Sequence, residues 1–496
     1  MNWNAGYVTD VAYTVGYHVE QSPGHLALAS LLCGIMPATV RQPHRGTYLE
    51  LGCGRGFGAL CLAASNPGWQ VIGIDFMPAH IDEAREIAAA ARIPNIQFIE
   101  ADIATLDPMT LPEIDVASAH GVWSWVADTV RDGMVRILAE RLRPGGLAHV
   151  SYNALPAWQS ALGLQRLMYE AGQQGSGRSD RMASDAAGLA EALAKTGAIH
   201  LGETSLIKVL LRDLPNMPPA YLAHEYMNAA WRPCFHRDVA AALGGAKLDY
   251  VGSGDLLENF PELMLTPEQR AISDRVEDRG LRELVKDLCL PRGLRHDIYV
   301  RGPRRINDIA RDAALREIQV TLKRLPEAFT YGAGVPAGNA AMERAFYEPM
   351  VMALAERPQR IGDLLSLPAV SGRQGTAAEL IGMLVGTGQA LLVSHPEEAA
   401  GDAAQRLNDT VAQRLLDGRQ ERAGAMASTR LGAGMLCSTD DHVTAYCLRR
   451  FGPGTEPEHW ADALHLPDGS DARSGFLTMA TTALRQLPVW QNAAVI

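Results

Sequence analysis

Short apolar runs alternate with longer amphipathic stretches through the first third of the chain. Residues 47–51 (TYLEL) predict a strand that runs into the glycine-rich GCGRGFG, and a helix follows from Phe57 to about Ser65. Gln70–Ile74 predicts a second strand ending at Asp75, and residues 79–91 (AHIDEAREIAAAA) are strong helix formers. Ile96–Ile99 predicts a third strand followed by Asp102, and Ile114–Ala119 a fourth followed by His120 and Gly121. A helix over 129–142 leads to PGG (Pro144–Gly146) and a fifth strand, Leu147–Tyr152. Strands alternating with helices imply right-handed crossovers and a parallel sheet.

Residues 156–235 break this rhythm with the polar GQQGSGRSD and with LPNMPPA, which suits neither regular helix nor central strand. The rhythm returns with a helix over Phe235–Leu243, a strand over Lys247–Val251 and a last strand over Asp297–Val300. Residues 1–305 therefore read as one α/β domain carrying an insertion, 156–235, near its active face. Residues 306–340 read as a linker, best marked by the Gly-, Pro- and Ala-rich 326–340, and 341–496 as a mainly helical C-terminal domain. Within it, 358–393 predicts helix, turn, helix and a short hairpin, similar to a winged-helix module. Such modules often mediate protein contacts, so DNA binding does not follow.

Composition narrows the setting. At 496 residues the chain exceeds one ordinary core, and 47% hydrophobic residues fit a globular protein. No apolar run reaches the ~20 residues of a bilayer span, and MNWNAGYVTDVAY lacks the features of a secretory signal. A cytoplasmic protein is the expectation. Seven scattered cysteines, with no CxxC pair, predict free thiols and no structural zinc; no metal site is expected. A net charge of −11 argues against nucleic acid or anionic membrane as a partner.

Chemistry concentrates at the first strand-to-helix turn. In Glu50-Leu-Gly52-Cys-Gly54-Arg-Gly56 the glycines permit positive φ and a close approach of ligand to backbone. The dinucleotide fingerprint fits poorly, since its third glycine would fall on Phe57 or Ala59. A tight structural turn is the plain alternative. Asp75 follows the second strand, where a carboxylate can accept from both hydroxyls of a ribose. Glu50 ends the first strand, where a ligand's ammonium would lie, and Asp102-Ile103 follows the third, in reach of an adenine. Each acid alone suits a solvated loop. Three in register beyond successive strand ends suit a ligand site.

ELGCGRGFG, IDFMPAHI, EADI and LRPGG resemble the successive motifs of class I S-adenosylmethionine-dependent methyltransferases over about residues 45–150. The resemblance implies a seven-stranded Rossmann-like domain and S-adenosyl-L-methionine as cofactor. It implies contacts from Glu50, Gly52, Gly54, Gly56, Asp75, Phe76, Asp102 and Ile103. TVGYHVEQSP, AHGVWSWV, VSYNALPAW, HEYMN, HDIYVRG and LGAGML resemble methyltransferases that carry a regulatory domain, here about 215–305. Rickettsial protein-lysine methyltransferases acting on outer-membrane protein share that architecture. Protein lysine is thus one expected acceptor. A small molecule, such as a saccharide or secondary metabolite methylated on O or N, is another. A non-catalytic, cofactor-binding interaction protein is a third reading. A homodimer is left open.

Methyl transfer needs an aligned nucleophile and, for some acceptors, a proton acceptor. His120 follows strand four, and Tyr152 and Asn153 end strand five; these three are the catalytic candidates, and His120 also stands near the cofactor. A histidine bonded to backbone is the alternative for His120. Of Trp123 and Trp125, at least one is expected to pack in the core. Tyr13, Tyr17 and His18 precede the first strand, and the segment is expected to close over the cofactor with Tyr17 facing it. Arg295, Arg301, Arg304 and Arg305 read as a solvated edge or as a docking face for an acidic partner. A fragment ending near residue 305 is expected to keep cofactor affinity.

Overall fold

The computed structural model describes all residues except 1–7, 12–14, 42–43, 176, 197, 199–200, 202–204, 371–374, 421, 423 and 453. Tyr13 lies outside the described residues.

The N-terminal part is built on a seven-stranded sheet. Its strands are β1 (Gly46–Leu51), β2 (Trp69–Asp75), β3 (Ile96–Glu100), β4 (Ile114–Ala119), β5 (Leu142–Asn153), β6 (Leu248–Ser253) and β7 (Leu294–Arg301), in the order 3-2-1-4-5-7-6. The first five are parallel, and β7 runs antiparallel between β5 and β6. The order reverses between β1 and β4, which opens a crevice beyond their carboxyl ends. The strand and helix pattern of the sequence is recovered almost residue for residue. One difference is PGG, which is not a turn before the fifth strand but part of β5, where a register shift between Ile114 and Val116 absorbs it.

Helices cover both faces. The first, α1 (Pro23–Leu32), and α2 (Phe57–Ser65) pack on one; α3 (Pro78–Ala90) follows β2, and α4 (Asp128–Arg141) packs on the other face. Alternation along β5 sends Leu147 to the first face and Ala148, Val150 and Tyr152 to the second. The insertion is ordered as α5 (Leu162–Gln173), α6 (Ser179–Lys195), α7 (Ser205–Asp213) and α8 (Pro219–Tyr226). It has its own core around Leu164, Met168, Ala187 and Leu222, which also receives Val8 and Val11. Among the described residues no helix is long and apolar enough to cross a membrane.

The segment expected as a linker is structured. Residues Asp308–Arg316 form a helix, β8 (Gln319–Leu322) is a strand, and β9 (Gly332–Val335) pairs with β10 (Gly338–Ala341) as a hairpin. The three-stranded sheet of the C-terminal region has β8 at its centre, between β11 (Gln359–Arg360) and β12 (Ala390–Val393). The hairpin expected after the second helix of 358–393 is therefore replaced: β12 pairs with β8, a strand from before the helices, and the winged-helix reading does not carry over as drawn. Further on, β13 (Ala425–Ser428) pairs with β14 (Ala433–Leu436).

The C-terminal region joins the first domain through α2. That helix is buried on all sides, from Phe57 and Ala59 to Ala64 and Ser65. One flank lies on the sheet, and the other meets β13, β14 and the helix Asp402–Leu416. Ser65 donates to the Ala433 carbonyl, Asn66 to the Gly432 carbonyl at 2.8 Å, and Arg414 pairs with Glu83 at 2.6 Å.

The arginine cluster divides, and Arg295 is not at a solvated edge. β7 is an interior strand, and Arg295 is 1% exposed. Its guanidinium is held by Asp297 at 2.9 Å, Asp287 at 2.6 Å and Glu283 at 2.9 Å, while Arg292 also pairs with Asp287. Burial would raise the Asp297 carboxyl, but Arg295 and His236 beside it hold it far below the usual carboxylate range. Arg304 and Arg305 are exposed.

Candidate functional site

The glycine turn forms the floor of the crevice. Gly52, Gly54 and Gly56 have φ of +75°, +53° and +75°, the left-handed region that L side chains rarely adopt. A Cβ on Gly52 would strike Val122, and one on Gly56 would strike Ala84 and Phe98, so these two are fixed by packing. A Cβ on Gly54 would meet nothing within 4 Å. The turn thus leaves open space above Gly54, at the amino end of α2, where a ligand can lie against backbone.

Asp75 sits at the tip of β2 and supports the turn. Its Oδ2 accepts from the Gly54 amide at 2.8 Å and its Oδ1 from the Met77 amide at 2.9 Å. Phe76 follows it, half-buried, and His80 lies 3.7 Å from its carboxylate. Asp102 is exposed beyond β3 and its Oδ1 accepts from the Ala104 amide, while Ile103 is buried beneath it.

Glu50 is the unusual group. It is 6% exposed, and its Oε2 has no hydrogen-bond partner among the described residues. Burial, reinforced by the charge of Asp75 and opposed by the Ala59 amide, pushes its carboxyl up to about 8. A buried carboxylate oxygen without a donor, beside an open cradle, fits a cationic group supplied from outside. The side chain of Gln21 approaches the same spot, facing Gly58 beside Glu50.

Four imidazoles line the crevice beyond β4, β5 and β7. The His18 and His120 rings are 3.8 Å apart, and His120 lies 5.9 Å and 5.4 Å from the rings of His149 and His296. The Ser118 hydroxyl meets His149 Nδ1 at 3.0 Å, and the Ser151 hydroxyl meets His120 Nδ1 at 3.1 Å. Burial, then the neighbouring imidazoles, push His120 and His149 well below the usual histidine range, so both are neutral. His149 and His296 were missed from the sequence. Strand alternation in AHVSYN, which sets His149 and Ser151 on one face, was the available signal.

The other predicted residues separate. Tyr152 points to the opposite face of β5, where it is 1% exposed and its hydroxyl donates to Asp297 at 2.5 Å. The structure does not bring it to the imidazoles, because residues 151 and 152 of one strand face opposite ways. Asn153 is buried at the end of β5 and its amide donates to Ser124 Oγ. Tyr17 is buried at the edge of the crevice, but its hydroxyl accepts from the Gly434 amide at 2.6 Å. Trp123 packs in the core, whereas half-buried Trp125 faces Trp231 of the insertion with ring centroids 6.1 Å apart.

Comparison with known proteins agrees with this geometry. Residues 49–146 match the methyltransferase domain family, and residues 218–301 match the predicted methyltransferase regulatory domain. The chain is 31% identical over 364 residues to the uncharacterized protein sll1526 of Synechocystis sp., covering 73% of this chain and 72% of the relative. It is 36% identical over 102 residues to the trans-aconitate 2-methyltransferase of Methylobacterium radiotolerans, covering 21% of this chain and 36% of that one. Its fold is similar to that of PKMT2 from Rickettsia typhi in complex with AdoHcy, with a TM-score of 0.71 and 16% identity, covering 97% of this chain and 99% of that one. The chain belongs to the class I S-adenosylmethionine-dependent methyltransferases that carry a regulatory domain. The matched regulatory segment is no separate body: it supplies β6, β7 and His296, and so completes the sheet and the crevice.

Proposed function

We propose that this methyltransferase acts on an amine acceptor, the side chain of protein lysine. The observation that carries the reading is the Trp125–Trp231 pair beyond β4. Two half-buried aromatic faces suit a long alkyl chain with a cationic tip. The similarity in fold to PKMT2 from Rickettsia typhi along nearly the whole chain supports it.

In this reading Gly52, Gly54 and Gly56 cradle the cofactor. Asp75 takes the ribose hydroxyls, Glu50 the ammonium group, and Phe76, Asp102 and Ile103 border the adenine. The cofactor supplies an electrophilic methyl group on a sulfonium. Tyr17 acts as a fixed wall, His120 borders the acceptor, and Asn153 closes the end of β5. Tyr152 braces Asp297 from behind. Seven free cysteines support a cytoplasmic setting. Residues 1–305 with their 156–235 insertion are the catalytic part, and the C-terminal region is a buttress for α2.

Labelled methyl donor with full-length protein, a cell lysate and a metabolite fraction tests the acceptor. Label that survives protein hydrolysis as methylated lysine is expected. Label confined to small molecules would overturn the lysine reading in favour of a small-molecule acceptor.

A further inference from the structure

The imidazoles of the crevice come together in a way that methyl transfer does not require. His120, His149 and His296 present ring nitrogens that all lie within 4.8 Å of one another. They come from three elements: the loop after β4, the middle of β5 and the start of β7. The sequence separations show that this is a product of the sheet order and not of a local motif. His149 Nε2 and His296 Nδ1 are already 3.3 Å apart. A tetrahedral zinc-type ion, with metal–nitrogen distances of about 2.0–2.1 Å, holds its nitrogens about 3.3–3.4 Å apart. Two of the three rings are therefore at the spacing such an ion requires, and the third lies within 4.8 Å of both.

The surroundings have the features of a metal site as well. Ligating histidines are oriented by a hydrogen bond from the other ring nitrogen. Ser118 Oγ holds His149 through Nδ1, which leaves Nε2 toward His296, and Ser151 Oγ holds His120 through Nδ1. Ser151 is itself held by the Gly121 amide at 2.7 Å. The carboxylate side chain of Glu20 stands near His296. Its charge offsets part of a dication's.

We propose that His120, His149 and His296 form a binding site for a divalent transition-metal ion of the zinc class. Three protein ligands leave a fourth position free, the pattern of a catalytic and not a structural site. The cluster opens on the side of exposed His18, so that position faces the acceptor. An ion there binds an oxygen or nitrogen of the acceptor and positions it. The site stands on its own geometry and holds whether or not the acceptor is a lysine.

Cobalt(II) is the probe. The full-length chain, without a histidine tag and stripped with chelator, is titrated with Co²⁺ while visible absorption is followed. One equivalent with the intense bands of tetrahedral coordination is expected, displaced by one equivalent of Zn²⁺. His149→Gln and His296→Gln are expected to weaken binding by about 100-fold or more. His395→Gln, which removes the separate His44–His395 pair, is expected to leave it unchanged. Absence of saturable Co²⁺ uptake by the unaltered chain, octahedral-type spectra only, or a loss that follows His395 would overturn the site. The unaltered chain gives its answer even if a variant fails to fold. S-adenosylhomocysteine titrated into the same samples reports on the cofactor separately.

Discussion

The hydroxyl of Tyr17 accepts a 2.6 Å hydrogen bond from the amide of Gly434, a partner 417 residues further along the chain. The bond ties the N-terminal segment to β14, and Arg422 reaches the Val15 carbonyl from the same side. We therefore expect the segment to be a fixed part of the wall, without the closing motion that its aromatic composition suggests. Tyr17→Phe leaves a buried amide without its acceptor, which costs about 1–3 kcal/mol. Urea unfolding should show that loss, and amides 15–21 should be protected from exchange equally with and without S-adenosylhomocysteine. A large gain in protection on adding ligand would restore the lid.

Truncation follows from the same interface. A fragment ending near residue 305 would expose the flank of α2 that meets β13, β14 and the helix Asp402–Leu416. It would also strand Asn66, whose amide and carbonyl oxygen are used by Gly432 and His395. We expect this fragment to aggregate or to unfold at much lower denaturant than the full chain. That reverses the expectation drawn from the Gly- and Pro-rich 326–340. A monomeric, cooperatively unfolding fragment with full affinity for S-adenosylhomocysteine would show that the two parts are independent.

In the proposed reading Asp75 has two tasks, and one substitution removes both. Its carboxylate organises the glycine turn through Gly54 and Met77, and in the proposed reading it also takes the ribose hydroxyls. Asp75→Ala should weaken S-adenosylhomocysteine binding by about 1–3 kcal/mol, roughly 5- to 150-fold. NAD should give no heat of binding in calorimetry with either form.

The parts legible in the sequence are those carried by period and local order. The runs TYLEL and GCGRGFG sit in neighbouring positions, so strand, turn and helix could be read together, and the acids at strand ends followed. What could not be read depends on contacts distant in sequence. Tyr152 and His149 both lie in the second half of β5, yet only the face decides which meets His120, and position along a strand does not by itself say which face meets a ligand. β8 is four residues long, QVTL, too short to signal against the glycine-rich residues after it. Arg295 looked solvated because its three acidic partners come from the helix Arg279–Cys289 and from its own strand, a pairing visible only once β7 is interior.

That pairing gives a stability prediction. Asp287, Glu283 and Asp297 are all buried around the guanidinium. Removing the cation leaves uncompensated buried carboxylates, a loss of about 3–5 kcal/mol. Arg295→Met should therefore lower the unfolding midpoint sharply, whereas Arg305→Met, at an exposed position, should leave it within about 0.5 kcal/mol of the parent. Equal, small effects would mean that the network is not held in solution.

The buried carboxyl of Glu50 makes cofactor affinity depend on pH. Its value is raised from 4.5 to about 8 in the free protein. A raised value means that the folded state prefers the protonated acid. The associated stability is complete below 4.5 and is lost as pH rises through about 8. Glu50→Gln should therefore stabilise the free chain, and more so at pH 8 than at pH 5. Binding runs the other way. An ammonium group placed against Oε2 favours the carboxylate, so association releases a proton wherever the free acid is protonated. The Kd of S-adenosylhomocysteine should then fall by up to tenfold per unit as pH rises toward about 8 and level off above it. Calorimetry in buffers of different ionisation enthalpy should register up to one proton released near pH 7. Glu50→Gln should bind weakly and without that slope. A wild-type affinity that is flat between pH 6 and pH 8, with no proton release, would mean that Glu50 is already ionised or does not meet the cofactor's ammonium group.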